Sequence, residues 1–235
     1  MNRTTESGAE PKEHDEAIPC GRREEILEAA TKLFAEHGFS DTVTQVLVER
    51  LQIGKGTLYR YFPSKRELFL AAVDRVMRRL RQSVDAAIAN IENPLDRVAR
   101  AILTYLVFFE QHPEFVELLV QERALFKDRK KSTYFEHQDT NVLRWRILFG
   151  GLIEEGRIRK IPVERVTDTI NNLLYGTMFT NYFSGRPKPP EQQAKDILDV
   201  VFYGILSESE RERMGRGCVD SRPEPAPRAD RPLQG

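Results

Sequence analysis

The sequence predicts an all-α protein of about nine helices, in which a three-helix helix-turn-helix domain precedes a larger helical domain. Apolar residues recur at the spacing of one helix face along almost all of the patterned sequence. Ser/Thr start signals, prolines and glycines divide that sequence into segments of helix length. Strand-like alternation of apolar and polar residues does not persist anywhere, so no sheet is expected.

Composition limits the kinds of protein that this can be. The chain has 235 residues, and its 36 Lys and Arg balance its 36 Asp and Glu. Between Gly21 and Arg81, twelve basic residues face eight acidic ones, an excess that suits a surface meeting phosphate. Two cysteines, Cys20 and Cys218, predict no disulfide framework. No secretory signal or membrane-spanning run is recognisable, so we expect a soluble, cytoplasmic protein.

The polar ends of the chain, residues 1–20 and 208–235, are predicted to be disordered tails. The first helix follows the N-terminal tail. Its apolar face includes Ile26, Ala30 and Leu33, which are spaced by one turn or two. Gly38 is expected to end this helix, because glycine adopts the left-handed conformation common just after helices.

Two capping boxes locate the next helices. Thr42 and Gln45 form the first box and open a short helix that runs to about residue 50. Ser64 and Glu67 form the second box, directly after Pro63, and open a long helix.

The chain between these helices has room for a turn at 51–54 and one short helix at 55–62. Two short helices joined by a tight turn and braced by longer helices are helix-turn-helix architecture. We therefore predict such a domain at residues 21–81, with the motif itself at 43–62.

The remaining prolines and glycines predict a helical domain at residues 82–207. Its helices after the long one are expected near 94–112, 114–127, 133–156, 163–184 and 190–207.

The stretch GKGT at residues 54–57 superficially resembles a nucleotide-binding loop. Such a loop needs a glycine five residues before its Gly-Lys pair and a Ser or Thr directly after the lysine. Glu49 and Gly56 occupy these two positions, so the nucleotide interpretation is not favoured.

The same stretch instead favours a short helix that faces DNA. Leu58 and Phe62 lie one turn apart and can anchor it, while Gly54 and Gly56 leave backbone N–H groups bare for a phosphate. Helix packing and capping alone would also explain tyrosines and glycines at such a turn. The side chains left free, which suit phosphates and base edges, are Lys55, Thr57, Tyr59 and Tyr61.

From about residue 22 to residue 81 the chain resembles the DNA-binding domain of the TetR/AcrR family of bacterial transcriptional regulators. The resemblance is carried by the apolar pattern of residues 26–39 and by GKGTLYRYFPSKRELF at 54–69. It implies a homodimeric, Ω-shaped, ligand-responsive regulator, here interpreted as a repressor that binds a palindromic double-stranded DNA operator. It also implies roles for individual residues: Thr44 on phosphate, Gln45 on a base, Lys55, Gly56, Thr57, Tyr59 and Tyr61 along the recognition helix, and Lys65 on backbone phosphate.

Three residues depart from the family pattern. Gln52 stands at a turn position that is usually glycine, and a left-handed conformation there costs a non-glycine residue about 1–2 kcal/mol. Val48 replaces the preferred alanine in the second helix, and Thr44 stands where an apolar residue is common.

The resemblance further implies a dimer interface made by the helices at 163–184 and 190–207, although an intrachain core would show the same apolar faces. Aromatic residues between 101 and 149 are numerous enough to line a cavity for a small apolar or aromatic effector, with Arg144 as a further polar contact, or they form the core. The candidate effector-binding residues are Tyr105, Phe108, Trp145, Asn171 and Tyr175.

An enzyme is not expected, and neither is a cofactor or a metal. The four histidines are scattered, and no metal-binding spacing or nucleophile motif is present. Two alternatives remain open at this point. One is a helical ligand-sensing or interaction protein with a degenerate helix-turn-helix, and the other is a helix-bundle enzyme.

Overall fold

The computed structural model describes residues 20–42, 44–185 and 188–204. All regular structure within these ranges is helical, as predicted. The predicted helix bounds agree with the observed ones to within a turn. Outside the described residues lie residues 1–19 and 208–235 of the two predicted tails and residues 205–207 of the last predicted helix. The helices are α1 Cys20–Asp41, α2 Thr44–Arg50, α3 Lys55–Tyr61, α4 Lys65–Ile88, α5 Pro94–Gln111, α6 Pro113–Leu125, α7 Thr133–Glu154, α8 Val163–Ser184 and α9 Pro190–Tyr203.

Residues up to Ala194 form one compact unit, and a second unit begins at Lys195, within α9. In the first unit α4 is central, because it packs against α1, α5, α6 and α7. Helix α8 covers α5, α6 and α7. The described part of the second unit consists of the last turns of α9 and Gly204. The division into domains at 21–81 and 82–207 stays a prediction.

Helix α1 is anchored by residues that are fully buried, among them Ile26, Ala30 and Phe34. Gly38 interrupts its helical backbone with a φ of 74°, in the left-handed region that favours glycine, and a short turn continues to Asp41. A Cβ atom on Gly38 would lie 3.4 Å from the carboxamide of Gln121 in α6, so the two helices approach closely here.

The two predicted capping boxes differ in outcome. At Ser64 the prediction is confirmed, because its hydroxyl accepts a hydrogen bond of 3.1 Å from the backbone N–H of Glu67. The box at Thr42 is wrong. Thr42 is buried and its hydroxyl donates backwards to the Gly38 carbonyl at 2.6 Å, while the Gln45 side chain turns outward to Glu49.

The turn between α2 and α3 contains the left-handed residue that the family pattern implied. Gln52 has a φ of 51°, and among the described residues it is the one non-glycine with a positive φ. The N–H of Ile53 donates to the carbonyl of Val48 at 3.0 Å, closing the end of α2 in the manner of a Schellman motif.

A cluster of phenylalanines joins α1, α4 and the end of α6. Phe39 lies 5.3 Å from Phe69 and 5.2 Å from Phe126 between ring centroids, both in edge-on geometry. The Phe39 N–H donates to the side-chain oxygen of Gln121 at 2.8 Å. These contacts fix the end of α1, and with it the start of α2, against α6.

A fully buried carboxylate holds α6 to α7. Oε1 of Glu122 accepts from the backbone N–H of Thr133 at 2.9 Å and from its hydroxyl at 2.8 Å. Arg129, in the connecting loop, forms an ion pair with the same oxygen and a second one with Glu136 at 2.7 Å.

Candidate nucleic-acid interface and effector cavity

Helices α2 and α3 present their polar sides because their apolar sides are buried. Leu47 and Val48 of α2 are buried, and so are Leu58 of α3 and Phe62 just after it. The anchoring role predicted for Leu58 and Phe62 is therefore present in the structure. Val48 fits within the core at 4% exposure, so the departure from alanine is accommodated there.

The structure places the eight predicted DNA contacts on or beside these two helices. The hydroxyls of Thr44 and Tyr59 are 3.3 Å apart, a hydrogen bond that ties the start of α2 to α3. The residues that are exposed are Gln45, Lys55 and Gly56, and those that are half-buried are Thr44, Thr57, Tyr59, Tyr61 and Lys65.

Gln45 and Lys65 also have partners within the chain. Nε2 of Gln45 donates to Glu49 at 2.9 Å on the exposed side of α2, so reading a base requires this contact to open. Nζ of Lys65 donates to the Ser40 carbonyl at 3.1 Å and lies 4.7 Å from the ring centroid of Phe39. Lys65 thus links the end of α1 to the start of α4. Its contact with DNA phosphate remains a prediction.

Sequence reasoning missed one basic residue on α3. Arg60 is exposed, and its guanidinium lies 5.9 Å from the ring centroid of Tyr61. Its position between two tyrosines on the recognition helix was the available signal. It adds a second exposed cation to α3 besides Lys55.

A cavity of about 140 Å³, partly open to the surface, lies between α4, α5, α7 and α8. Most of its wall is apolar, with contributions such as Leu80, Val84, Ile102 and Phe149. Such a wall suits the apolar body of a small ligand.

Three of the five predicted effector-binding residues, Tyr105, Trp145 and Asn171, line this cavity. Phe108 does not, because it is buried between α5 and α6 and packs 5.7 Å from Phe115. Tyr175 does not either, because its ring packs on Tyr134 at 4.9 Å. For these two residues the alternative of core packing fits their positions.

Two buried tyrosines form an uncharged part of the wall. The hydroxyls of Tyr105 and Tyr134 are 2.9 Å apart. Burial raises the pKa of Tyr105 well above its usual range and that of Tyr134 to about 12. Both phenols therefore remain neutral near pH 7 and add no charge to the cavity.

The cavity also has a charged side, formed by α4 and α7. Asp85 forms an ion pair with Arg144 and lies 3.5 Å from Arg81, between carboxylate oxygen and Nε. Nε2 of His137 is 2.7 Å from the carboxylate of Asp74. Arg81, His137 and Asn141 were missed from the sequence, because charged and amide residues on an amphipathic helix usually face water.

The described residues contain neither a cluster of metal-ligating side chains nor a membrane-spanning helix. Within the described ranges, no three His, Cys, Asp or Glu side chains come together as a metal site would require. None of the helices described is long and apolar enough to span a bilayer.

Comparison with known proteins adds independent observations. Residues 26–72 match the model of the family "Bacterial regulatory proteins, tetR family". The repressor KstR2 of Mycobacterium tuberculosis is 27% identical over 195 residues, covering 80% of this chain and 94% of KstR2. YhgD of Bacillus subtilis, an uncharacterized HTH-type transcriptional regulator, is 32% identical over 189 residues, covering 79% of this chain and 97% of YhgD.

A solved structure has the same fold. FadR of Bacillus subtilis, a transcriptional regulator in complex with stearoyl-CoA, superposes with a TM-score of 0.64 at 15% identity. The match covers 78% of this chain and 99% of FadR.

Proposed function

This chain belongs to the TetR family of bacterial regulatory proteins, and we propose that it is a ligand-responsive repressor that binds a palindromic operator as a homodimer. The observation that carries the proposal is the buried anchoring of α2 and α3, which leaves Gln45, Lys55 and Arg60 exposed on the helix-turn-helix motif. Basic and amide side chains on such a motif suit phosphates and base edges. A DNA-binding role of this kind places the protein in the cytoplasm.

The DNA contact proposed for each residue follows from the chemistry of its side chain. Gln45 reads a base, because a carboxamide can pair bidentately with adenine. Lys55, with Gly56, Thr57, Tyr59 and Tyr61, lies along the groove, and Thr44 and Lys65 meet backbone phosphate. No catalytic role is proposed, since KstR2 is a transcriptional repressor and YhgD is an uncharacterized HTH-type transcriptional regulator.

Dimerisation is proposed through α8 and α9. In α8, Leu173 is 36% exposed and Phe183 is 68% exposed, and in the second unit Tyr203 is 67% exposed. Large apolar side chains left in water on the last helices supply surface that a second copy can cover.

An acyl-CoA is the effector class that we propose for the cavity. FadR holds stearoyl-CoA, and the wall of this cavity is apolar with a charged side, as an acyl group with a polar carrier requires. Binding is expected to release the protein from its operator.

The first test is selection of bound sites from randomised duplex DNA with the purified full chain near physiological salt, because affinity depends steeply on salt. We expect an enriched inverted repeat whose half-sites are spaced by about 34–36 Å or a multiple of it. A folded dimer that enriches no sequence would refute the proposal and favour an interaction protein with a degenerate helix-turn-helix.

A charge variant tests the proposed orientation of α3. Lys55→Ala should weaken binding to every duplex alike and lower the slope of log affinity against log salt by about 1, because one phosphate contact is lost. Lys32→Ala is the control, since Lys32 lies on α1 and pairs with Glu28 at 3.1 Å. Equal affinity of the Lys55 variant and wild type would remove Lys55 from the interface.

A further inference from the structure

The loop that joins α6 to α7 is strongly basic. Its residues 127–131 read KDRKK, with four basic residues and one acidic residue, in a chain whose charges balance overall. None of these residues belongs to the helix-turn-helix or lines the cavity between α4, α5, α7 and α8. A basic segment on the surface of a DNA-binding protein suits contact with a polyanion.

Part of this charge is compensated within the chain. The loop residues that form ion pairs are, with their partners, Arg129 with Glu122, Lys131 with Asp139 and Asp128 with Arg66. Lys127 and Lys130 are exposed, and neither forms an ion pair with any residue of the described ranges. The one carboxylate of the loop is already paired, so both lysines keep their full positive charge for an external partner.

The loop is held against the DNA-binding motif by the residue that precedes it. The ring centroid of Phe126 lies 5.2 Å from that of Phe39 at the end of α1 and 5.6 Å from that of Phe69 in α4. The guanidinium of Arg66, in the first turn of α4, lies 4.8 Å from the same ring and also pairs with Asp128. These contacts fix the loop beside the end of α1 and the start of α4.

The start of α4 is also where the proposed function places a DNA phosphate. Nζ of Lys65 lies 4.7 Å from the ring centroid of Phe39, and Phe39 packs edge-on against Phe126. A single aromatic contact therefore separates Lys65 from the residue that precedes Lys127. Duplex DNA carries a negative charge about every 1.7 Å along its axis, so further phosphates adjoin any phosphate that Lys65 binds.

We propose that Lys127 and Lys130 form a second DNA-binding surface, which contacts the phosphate backbone beside the helix-turn-helix. This inference rests on the proposed function and deepens it by adding a contact outside the motif. Lysine suits such a contact, because its ammonium group binds phosphate as a point charge on a flexible side chain. The contact adds affinity for every duplex alike and leaves the choice of operator to α2 and α3.

The experiment measures the affinity of the full chain for two duplexes of equal length between about 50 and 200 mM salt. One carries the selected operator with about 10 base pairs, one helical turn, on each side, and the other is unrelated in sequence. Lys127→Ala/Lys130→Ala removes both free charges. The matched control, Arg159→Ala/Lys160→Ala, removes the same charge from exposed positions beyond the other end of α7, whose 22 residues span about 33 Å.

The loop variant should lower the slope of log affinity against log salt by about 2 for each bound protomer. The affinity lost over this salt range then becomes about tenfold smaller per protomer. We expect the same change on both duplexes and an unchanged preference for the operator, because phosphates carry no sequence information. The control should change the slope by less than about 0.5, since salt screens charges beyond about 10 Å. The melting temperature of both variants should match wild type, because all four side chains are exposed.

Photo-crosslinking separates direct contact from a general effect of charge. In a chain whose Cys20 and Cys218 are replaced by serine, a benzophenone attached through Lys127→Cys should crosslink to the duplex. The same group attached through Lys160→Cys should not.

The outcomes distinguish this inference from the proposed function. An unchanged slope in the loop variant, an equal change in the control, or no crosslink from residue 127 would each overturn the second surface, while operator selection by wild type would stand. Failure of wild type to select an operator would overturn the proposed repressor, and the slopes on the unrelated duplex would still decide whether the loop binds DNA.

Discussion

Polar side chains occur both on the α2–α3 surface and in the wall of the effector cavity. On the surface they are exposed to water, whereas in the cavity wall some of their atoms are shielded from it. On α2, Gln45 is exposed and pairs with Glu49, so water can replace that contact at little cost. In the wall of the cavity, Asn141 and Arg144 each hold an atom that is shielded from water and has no hydrogen-bond partner among the described residues. The exposed pair keeps water as an alternative partner, whereas each buried unpaired atom lowers the stability of the fold.

This difference determines what each region can reveal about its ligand. An exposed amide or lysine indicates only the type of partner that it can bind, because water forms its hydrogen bonds equally well in the free protein. A cavity also limits the shape and polarity of its ligand, because its walls contact most of the bound molecule. The cavity therefore limits its ligand more closely than the α2–α3 surface limits an operator.

The largest expected contrast is between two glutamates. Glu122→Ala should lower the free energy of unfolding by about 3 kcal/mol, because it leaves the N–H of Thr133 unpaired and removes one partner of Arg129. Glu49→Ala, in the exposed pair with Gln45, should change it by less than about 0.5 kcal/mol. Urea unfolding of both variants measures this, and equal effects would contradict the difference between buried and exposed polar groups.

The buried tyrosine pair should make stability fall in alkali. The pKa of Tyr134 is raised to about 12, so its contribution is complete below its unfolded pKa near 10 and is lost as pH rises towards 12. This linked loss is on the order of 2 kcal/mol. Tyr134→Phe should reduce the loss between pH 10 and 12 in urea titrations. A Tyr134 variant with the wild-type alkaline profile would exclude this linkage.

Gln45 tests the exposed side of the comparison. Gln45→Ala should relax preference at one base pair by about 1–3 kcal/mol, since a bidentate contact is lost. Its stability should stay within about 0.5 kcal/mol of wild type, because the side chain is exposed. Competition binding with operators changed at single positions measures the preference, and an unaltered profile would show that Gln45 does not read a base.

The smallest expected effect is at the turn. Gln52→Gly should raise the free energy of unfolding by about 0.5–1 kcal/mol, because relief of left-handed strain exceeds the entropy that glycine adds to the unfolded chain. Glu49→Gly, inside α2, should have the opposite sign by about 1 kcal/mol. Destabilisation by Gln52→Gly would indicate that the Gln52 side chain contributes more than its backbone costs.

Much of the fold was predictable because its signals are local. The cap at Ser64 and the prolines at the first residues of α5 and α6 each depend on a few neighbouring residues, whereas the left-handed turn at Gln52 was implied by the family resemblance. The Thr42 box failed although its spacing was correct, because a buried hydroxyl follows the nearest acceptor in space, here the Gly38 carbonyl.

The cavity was predictable only in part. Tyr105 and Trp145 line it and Phe108 does not, yet all three are aromatic residues at helical spacing. Which side of α5 faces α6 and which faces the cavity depends on how helices distant in sequence pack together. Periodicity alone carries no such information.

By itself, the sequence determined the helices, the helix-turn-helix and the burial of Leu58 and Phe62 that anchors it, since caps, turns and periodicity act over a few residues. Only the tertiary structure decided that Lys65 links the end of α1 to α4, that Glu122 holds α7, and that Asn141 and Arg144 line the cavity. Those facts depend on contacts between segments far apart in the chain, where burial sets the cost of every polar group.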